Sequence, residues 1–232
     1  MIGLKVYDIN SDIISKYIQS LISGKDKGRV VKLSPSNIGE CSRRLYYKIK
    51  NQDNPFNYQN QFRTFVGTAF HALIEKFLLS NKEAEGIKII DVEKVIIIEL
   101  TSELSVRGVI DVVMIVKDDG GRRRVLDFKT TTKDVSEIEE PPQYYLDQLY
   151  FYGLSEGIDL LTLLFVNIVN GDMRRIDFEL DLCRAKELRN KWLFIEKCLI
   201  ENKVPEKDYK EKGKECSWCS YKKKCWTFAV ED

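Results

Sequence analysis

Residues 107–129, RGVIDVVMIVKDDGGRRRVLDFK, set two aspartates and a lysine into an apolar, β-branched ribbon, and any fold must accommodate that conflict. Residues 109–116 are almost wholly apolar, as in a strand covered on both faces. Asp118-Asp119-Gly120-Gly121 supplies turn chemistry, and residues 125–128 resume the apolar run. A carboxylate in such a strand costs on the order of several kcal/mol unless a cation compensates it. Asp127 and Lys129 are two apart and share a strand face. A three-residue loop, Asp119-Gly120-Gly121, puts Asp118 opposite Arg122, Asp111 opposite Lys129 and Val113 opposite Asp127. The three charged groups then share one face, within about 4.5–8 Å by cross-strand spacing. An even loop would turn Asp111 to the other face; the Gly-Gly pair suits the odd one.

Two carboxylates and a lysine on one face form a chemical kit. The carboxylates suit Mg²⁺ or Mn²⁺, hard ions that take oxygen ligands. Such ions polarise a phosphodiester and acidify water, while the ammonium steadies developing negative charge. The plainer alternative is a surface hairpin with solvated charges.

The chain has 232 residues, 44% hydrophobic and 31% charged, enough apolar mass for one large domain with a real core. Formal net charge is only +1, so nucleic-acid affinity must come from local patches. The N-terminus shows no basic-then-apolar signal pattern and no apolar run reaches membrane-spanning length, so a cytoplasmic, intracellular protein without a membrane partner is expected. Six cysteines in such a chain point to metal or cluster ligation rather than a disulfide frame.

A weak helical period covers residues 11–22, followed by a loop over 24–28. A helix start follows in one of two registers: Ser34 as N-cap with Pro35 at the first position, or Asn37 as N-cap with Glu40 three residues on. That helix carries CSRRLYYKIK, where Arg43 and Arg44 interleave with Tyr46 and Tyr47; the pattern suits a phosphate backbone and its bases, or simply a solvated basic face. Residues 51–60 are polar and loop-like. Residues 64–79 predict a helix with Phe70, Leu73, Ile74, Phe77 and Leu78 as its apolar stripe. The one histidine, His71, borders that stripe. Gly67, a turn earlier, leaves room for an approaching group, and Glu75, a turn later, shares its face.

Residues 88–100 form a buried strand before the central hairpin, and residues 130–142 a polar loop. Residues 143–155 form an aromatic-rich helix, in which Gln148 and Tyr152 project from one ridge. Residues 161–169 and 174–180 flank Asn170-Gly171, a strong hairpin signal. Residues 181–201 form a long helix capped by Asp181, with Cys183 and Cys198 as small core residues. In the lysine-rich tail, Cys216, Cys219 and Cys225 have the spacing C-x₂-C-x₅-C, a ligand signal because short loops let thiolates converge. A fourth ligand is needed, and with one histidine in the chain Cys41 is the best candidate. The spacing leaves Zn²⁺ and [4Fe–4S] both open.

Taken in order, GTAFH at 67–71, GVID at 108–111, DFK at 127–129 and QLYFY at 148–152 resemble the motifs G-x-x-x-H, G-x-x-D, (D/E)-x-K and Q-x-x-x-Y. These belong to the RecB-like branch of the PD-(D/E)xK nucleases. Within that branch the chain is most similar to the CRISPR-associated iron–sulfur exonucleases, the fourth Cas family. Cys41 in CSRRLYY and Cys216, Cys219 and Cys225 match that family's four cluster cysteines, so the resemblance spans residues 34–226. It implies an α/β, restriction-endonuclease-like core, a central mixed sheet flanked by helices, in a single domain over 1–232. Residues 34–60 and 203–232 would form a cluster-binding subregion around a 61–202 core, joining the N- and C-terminal parts.

It further implies His71, Asp111, Asp127 and the Phe128 carbonyl as ligands to Mg or Mn, with Lys129, Asp111 and Asp127 catalytic. Gln148 and Tyr152, with Arg43 and Arg44, would contact or orient DNA, and the cysteines would hold a structural [4Fe–4S] cluster in preference to Zn. One departure is that the third motif carries Asp127 where many relatives have Glu. The expected activity is metal-dependent exonucleolytic cleavage of single-stranded DNA ends. The partners implied are DNA and the proteins of CRISPR adaptation or recombination, and an oligomer is compatible. The competing classes are a non-catalytic DNA-binding adaptor that serves another nuclease or integrase, and a zinc-stapled RNA-binding protein. Retention of His71, both aspartates and Lys129 favours the enzyme, since an adaptor has no need to bury them.

Overall fold

The structure, a computed structural model, describes residues 13–24, 33–50, 58–102, 105–209, 213–217 and 219–227. Helices α1 (Ile13–Gly24), α2 (Ser42–Ile49) and α3 (Tyr58–Ser80) precede the sheet. Then come β1 (Glu83–Ala84), β2 (Ile87–Glu99), β3 (Ser105–Val116), β4 (Arg123–Thr131), α4 (Gln143–Glu156), β5 (Leu160–Asn167) and β6 (Met173–Glu179). Helices α5 (Leu182–Ile200), α6 (Lys214–Ser217) and α7 (Lys222–Thr227) complete the described chain.

The six strands lie in sequence order in one mixed sheet, antiparallel except for the β4–β5 pair. Helix α4 is the crossover that this parallel pair requires. One face packs on α3: Ile89, Val112, Met114, Leu126 and Phe128 meet Phe70, Ile74 and Leu78. The other face packs on α4 through Ile96, Ile110, Val113, Val125, Leu149 and Tyr152, continued by Phe151, Leu188 and Trp192 where α5 is added. The expected mixed sheet flanked by helices is therefore present. Among the described residues no helix is long and apolar enough to cross a membrane.

Several local expectations change. Helix α3 takes in residues 58–60 from the stretch read as a loop, while 51–57, like the 25–28 part of the earlier loop, lie outside the described residues. Of the α3 stripe only Phe70, Ile74 and Leu78 pack; Leu73 and Phe77 face outward, because the sheet covers a narrower arc than a wide stripe implies. Neither proposed cap begins the CSRRLYY helix. Ser34 precedes a short 3₁₀ turn, Pro35–Asn37, and α2 starts only at Ser42. Cys198 is buried as expected but Cys183 is exposed.

The β3–β4 connection spans residues 117–122, with Gly120 and Gly121 in the left-handed region at φ 68° and 77°. Val113 pairs with Val125 and Val112 with Leu126, so the predicted register is off by two residues while its parity holds. The 3₁₀ turn Lys117–Asp119 takes up the residues assigned to strand ends.

Candidate active site

The β3–β4 ladder ends at Val112 and Leu126, one residue short of Asp111 and Asp127, so both acids sit where the two strands begin to part. The alternation of β3 also breaks there. Ile110 belongs to the α4-side core and Val112 to the α3-side core, although they are two apart. On β2 the same reversal falls between Val92 and Ile96, around Glu93, which holds a left-handed φ of 50°. That conformation is costly for a residue with a Cβ. Lys94 meanwhile pairs with Glu156 on α4. Glu93 and Asp111 thus occupy the kink of two neighbouring strands, where a regular pleat would not bring their carboxylates together.

His71 Nδ1 lies 3.4 Å from Asp111 Oδ2, and the Phe128 N–H donates to that oxygen at 2.8 Å. The His71 ring also sits edge-on to Phe128. The bond to Asp111 raises the His71 pKa against the opposing effect of burial. Ligand atoms of His71, Glu93 and Asp111 all lie within 4.8 Å of one another, the one such trio of His, Cys and carboxylate residues among those described. Glu75 hydrogen-bonds to Glu93 rather than serving His71; burial first, then that bond and Asp111, push the Glu93 carboxyl up to about 7. Gly67, expected to admit an approaching group, lies beside β4 itself: a Cβ there would sit 3.4 Å from Thr130 Oγ1.

Asp127 is 1% exposed. Lys129 Nζ lies 2.6 Å from its Oδ2, yet no hydrogen-bond geometry is met, leaving that oxygen without a hydrogen-bond partner. The Lys129 ammonium thus supplies charge compensation directly at Oδ2. Burial raises the Asp127 pKa, with Lys129 opposing and Asp111 adding to the shift. Lys129 rests over the Tyr145 ring, 4.5 Å from its centroid.

Gln148, predicted to contact or orient DNA, is 8% exposed and turned inward. Its Nε2 donates to Asp127 Oδ1 (3.1 Å) and Tyr152 Oη (3.0 Å), and its Oε1 accepts from Lys129 Nζ (2.9 Å). Tyr152, 3% exposed, is likewise internal, so both residues hold the acid–lysine pair instead of facing a ligand. Gly108 permits this packing: a Cβ there would meet Pro35 Cγ at 2.9 Å and Tyr152 Cε1 at 3.1 Å. A hard divalent cation fits the imidazole of His71 and the converging carboxylates of Glu93 and Asp111. Glu93 was missed by sequence reasoning, although a Glu-Lys pair inside IIDVEKVIII breaks the apolar run as Asp111 breaks its own.

Cys41, Cys216, Cys219 and Cys225 lie in a second region, where Tyr47 and Tyr221 pack with Cys219 and Cys225. Burial raises the Cys41 and Cys216 thiols, and Cys219 and Cys225 act on Cys216 electrostatically. No three thiols among the described residues come within 4.8 Å of one another, a wider spacing than donors on one small ion would have. The start of α2 meets the stretch after α5 here: Asp208 Oδ2 accepts from Ser42 N (2.9 Å) and Oγ (3.0 Å). Arg43 departs from the DNA-binding expectation. It is 6% exposed and donates to the Pro205 carbonyl at 2.7 Å, because the helix turn that points Arg44 outward points Arg43 inward. Arg44 is half-buried and paired with Glu40 at 3.3 Å.

Residues 77–226, well over half the chain, match the model of the PD-(D/E)XK nuclease superfamily. The match takes in Asp111, Asp127, Lys129, Gln148, Tyr152 and the three C-terminal cysteines, but neither Cys41 nor His71. The fold is similar to the crystal structure of SSO0001, at 14% identity and a TM-score of 0.59, covering 90% of this chain and 95% of that one. It is also similar to the alkaline exonuclease LHK-Exo from Laribacter hongkongensis, at 11% identity and a TM-score of 0.50, covering 76% and 91%. LHK-Exo in complex with dAMP gives 11% identity and a TM-score of 0.50, covering 81% and 93%. No curated protein sequence matches the chain.

Proposed function

The chain belongs to the PD-(D/E)XK nuclease superfamily, and from that premise we propose that it is a divalent-metal-dependent deoxyribonuclease acting as an exonuclease on single-stranded DNA ends. The observation that carries this reading is the gathering of His71, Glu93, Asp111, Asp127 and Lys129 around the fork between β3 and β4. His71, Glu93 and Asp111, with Asp127 and the Phe128 carbonyl, would hold Mg or Mn. When bound, the cation would polarise the scissile phosphodiester and acidify the attacking water.

The chain's own residues do the rest. Asp127 anchors Lys129 in a low-dielectric niche, where its ammonium faces developing negative charge with full effect. Gln148 fixes both members of that pair, and the Tyr145 ring supports the lysine from one side. The Phe128 N–H fixes the Asp111 carboxylate, which in turn orients His71.

The finer assignment is to the CRISPR-associated iron–sulfur branch, with DNA adaptation or recombination proteins as partners. It rests on the four cysteines and on the motif resemblance, which favours [4Fe–4S] over one zinc ion. On this reading the cluster subregion comprises residues 34–60 and 203–232. Cleavage of end-labelled single-stranded DNA with Mn²⁺ or Mg²⁺ tests the activity, with Asp111→Ala and Lys129→Ala as controls. Metal-dependent loss of terminal nucleotides by the wild type alone is the expected result. Equal cleavage by all three proteins would mark a contaminant and end the enzyme reading.

A further inference from the structure

Among the described residues two arginines are buried, and only one of them has a carboxylate partner. Arg124, 5% exposed, is bonded to Asp119 at 2.8 Å and lies 3.0 Å from Asp177. Arg43 is as deeply buried, at 6% exposed, yet among the described residues no carboxylate lies within 4.0 Å of its guanidinium. Asp208 is engaged by Ser42 and Lys191, and Glu40 by Arg44 and Lys48. Arg43 instead donates through Nε to the Pro205 carbonyl at 2.7 Å. Its Nη1 faces the Cys225 carbonyl at 3.4 Å and the Cys225 sulfur at 3.9 Å. A guanidinium cannot shed its proton in a protein, so its burial demands a negative charge nearby.

We propose that Arg43 is the charge partner of a metal–thiolate group held by Cys41, Cys216, Cys219 and Cys225. This rests on the cluster reading above. Four thiolates around an iron–sulfur core leave a net negative group, and Arg43 is the buried cation facing one of its sulfurs. The same side chain ties α2, next to Cys41, to the two C-terminal stretches at Pro205 and Cys225. Arg43 is thus a positioning residue with an electrostatic role: it favours the more negative, reduced state of the group and slows its loss.

The test uses the full chain, reconstituted anaerobically with iron and sulfide, in wild-type, Arg43→Met and Arg43→Lys forms. Iron and sulfide per chain, the absorbance near ~400 nm expected of thiolate-ligated iron, the midpoint potential and the rate of metal loss to a chelator are measured. Expected results are a more negative potential in Arg43→Met and metal loss faster by roughly tenfold or more, the scale for partners surrounding a metal site. Arg43→Lys, which keeps the charge but not the two-carbonyl reach, retains a near-wild-type potential. A wild type that takes up neither iron nor zinc overturns the cluster reading itself, before any variant is compared. A wild type that loads while Arg43→Met matches it in potential and loss rate overturns the role of Arg43 alone. Should Arg43→Met fail to accumulate, Arg43→Lys decides: a potential displaced from wild type by loss of the carbonyl contacts, with charge kept, refutes the charge role.

Discussion

Replacing Gln148 with leucine separates two roles for a residue that sequence reasoning assigned to DNA. Gln148 makes three hydrogen bonds of 2.9–3.1 Å, two of them to the charged Lys129 and Asp127. Leucine has similar bulk, so the change removes the bonds with little cavity, and Asp127 Oδ1 loses the Gln148 donor. A hydrogen bond to a charged group contributes about 1.5–3 kcal/mol net. If one such contribution is lost from the orientation of Lys129, at about 1.4 kcal/mol per factor of ten, kcat falls roughly 10- to 100-fold. Because Gln148 is 8% exposed and faces the acid–lysine pair, KM for single-stranded DNA stays within about twofold. Steady-state cleavage of a fluorescent single-stranded substrate at saturating Mn²⁺ gives both constants. A tenfold rise in KM at unchanged kcat would refute the internal role and restore Gln148 as a DNA contact.

In the metal-free protein, the raised Glu93 pKa means that the folded state binds more protons than the unfolded state between pH about 4.5 and about 7, so its contribution to stability falls as pH rises through that window. Thermal melts across that range should therefore show a shallower decline for Glu93→Gln than for wild type, and Mn²⁺ should shrink the difference; parallel slopes without metal would contradict it. Gly108→Ala drives a methyl against Pro35, Ile96 and Tyr152 at 2.9–3.1 Å, and the overpacking should cost about 1–3 kcal/mol in denaturant titration. Asp208→Ala removes the acceptor at the start of α2 and should cost about 1 kcal/mol in the same assay, with the cleavage rate unchanged.

The sheet and its covering helices were legible because apolar runs, turn glycines and helical periods agree with one another from residue 64 onward. Asp181 caps α5 as expected by accepting from Arg184 N, and Gly171 turns the last hairpin with a left-handed φ of 82°. Loop parity was legible, but the two-residue error in register did not show, since a 3₁₀ turn is locally indistinguishable from strand ends in composition; nor did the kink that leaves Asp111 with His71 of α3 while Asp127 and Lys129 meet Gln148 of α4. Glu93 was hidden by a kink that no alternation rule contains. Gln148 and Tyr152 were placed on one ridge correctly, while the direction of that ridge depends on how α4 lies on the sheet. Arg43 and Arg44 are adjacent and chemically alike, and only tertiary packing separates the buried one from the half-exposed one.

The bond from Ser42 to Asp208 joins residues 166 positions apart. During vectorial synthesis the first turn of α2 therefore waits for its acceptor until residue 208 has been made. A product ending before residue 205 would leave the Ser42 N–H and the Arg43 guanidinium without their Asp208 and Pro205 acceptors.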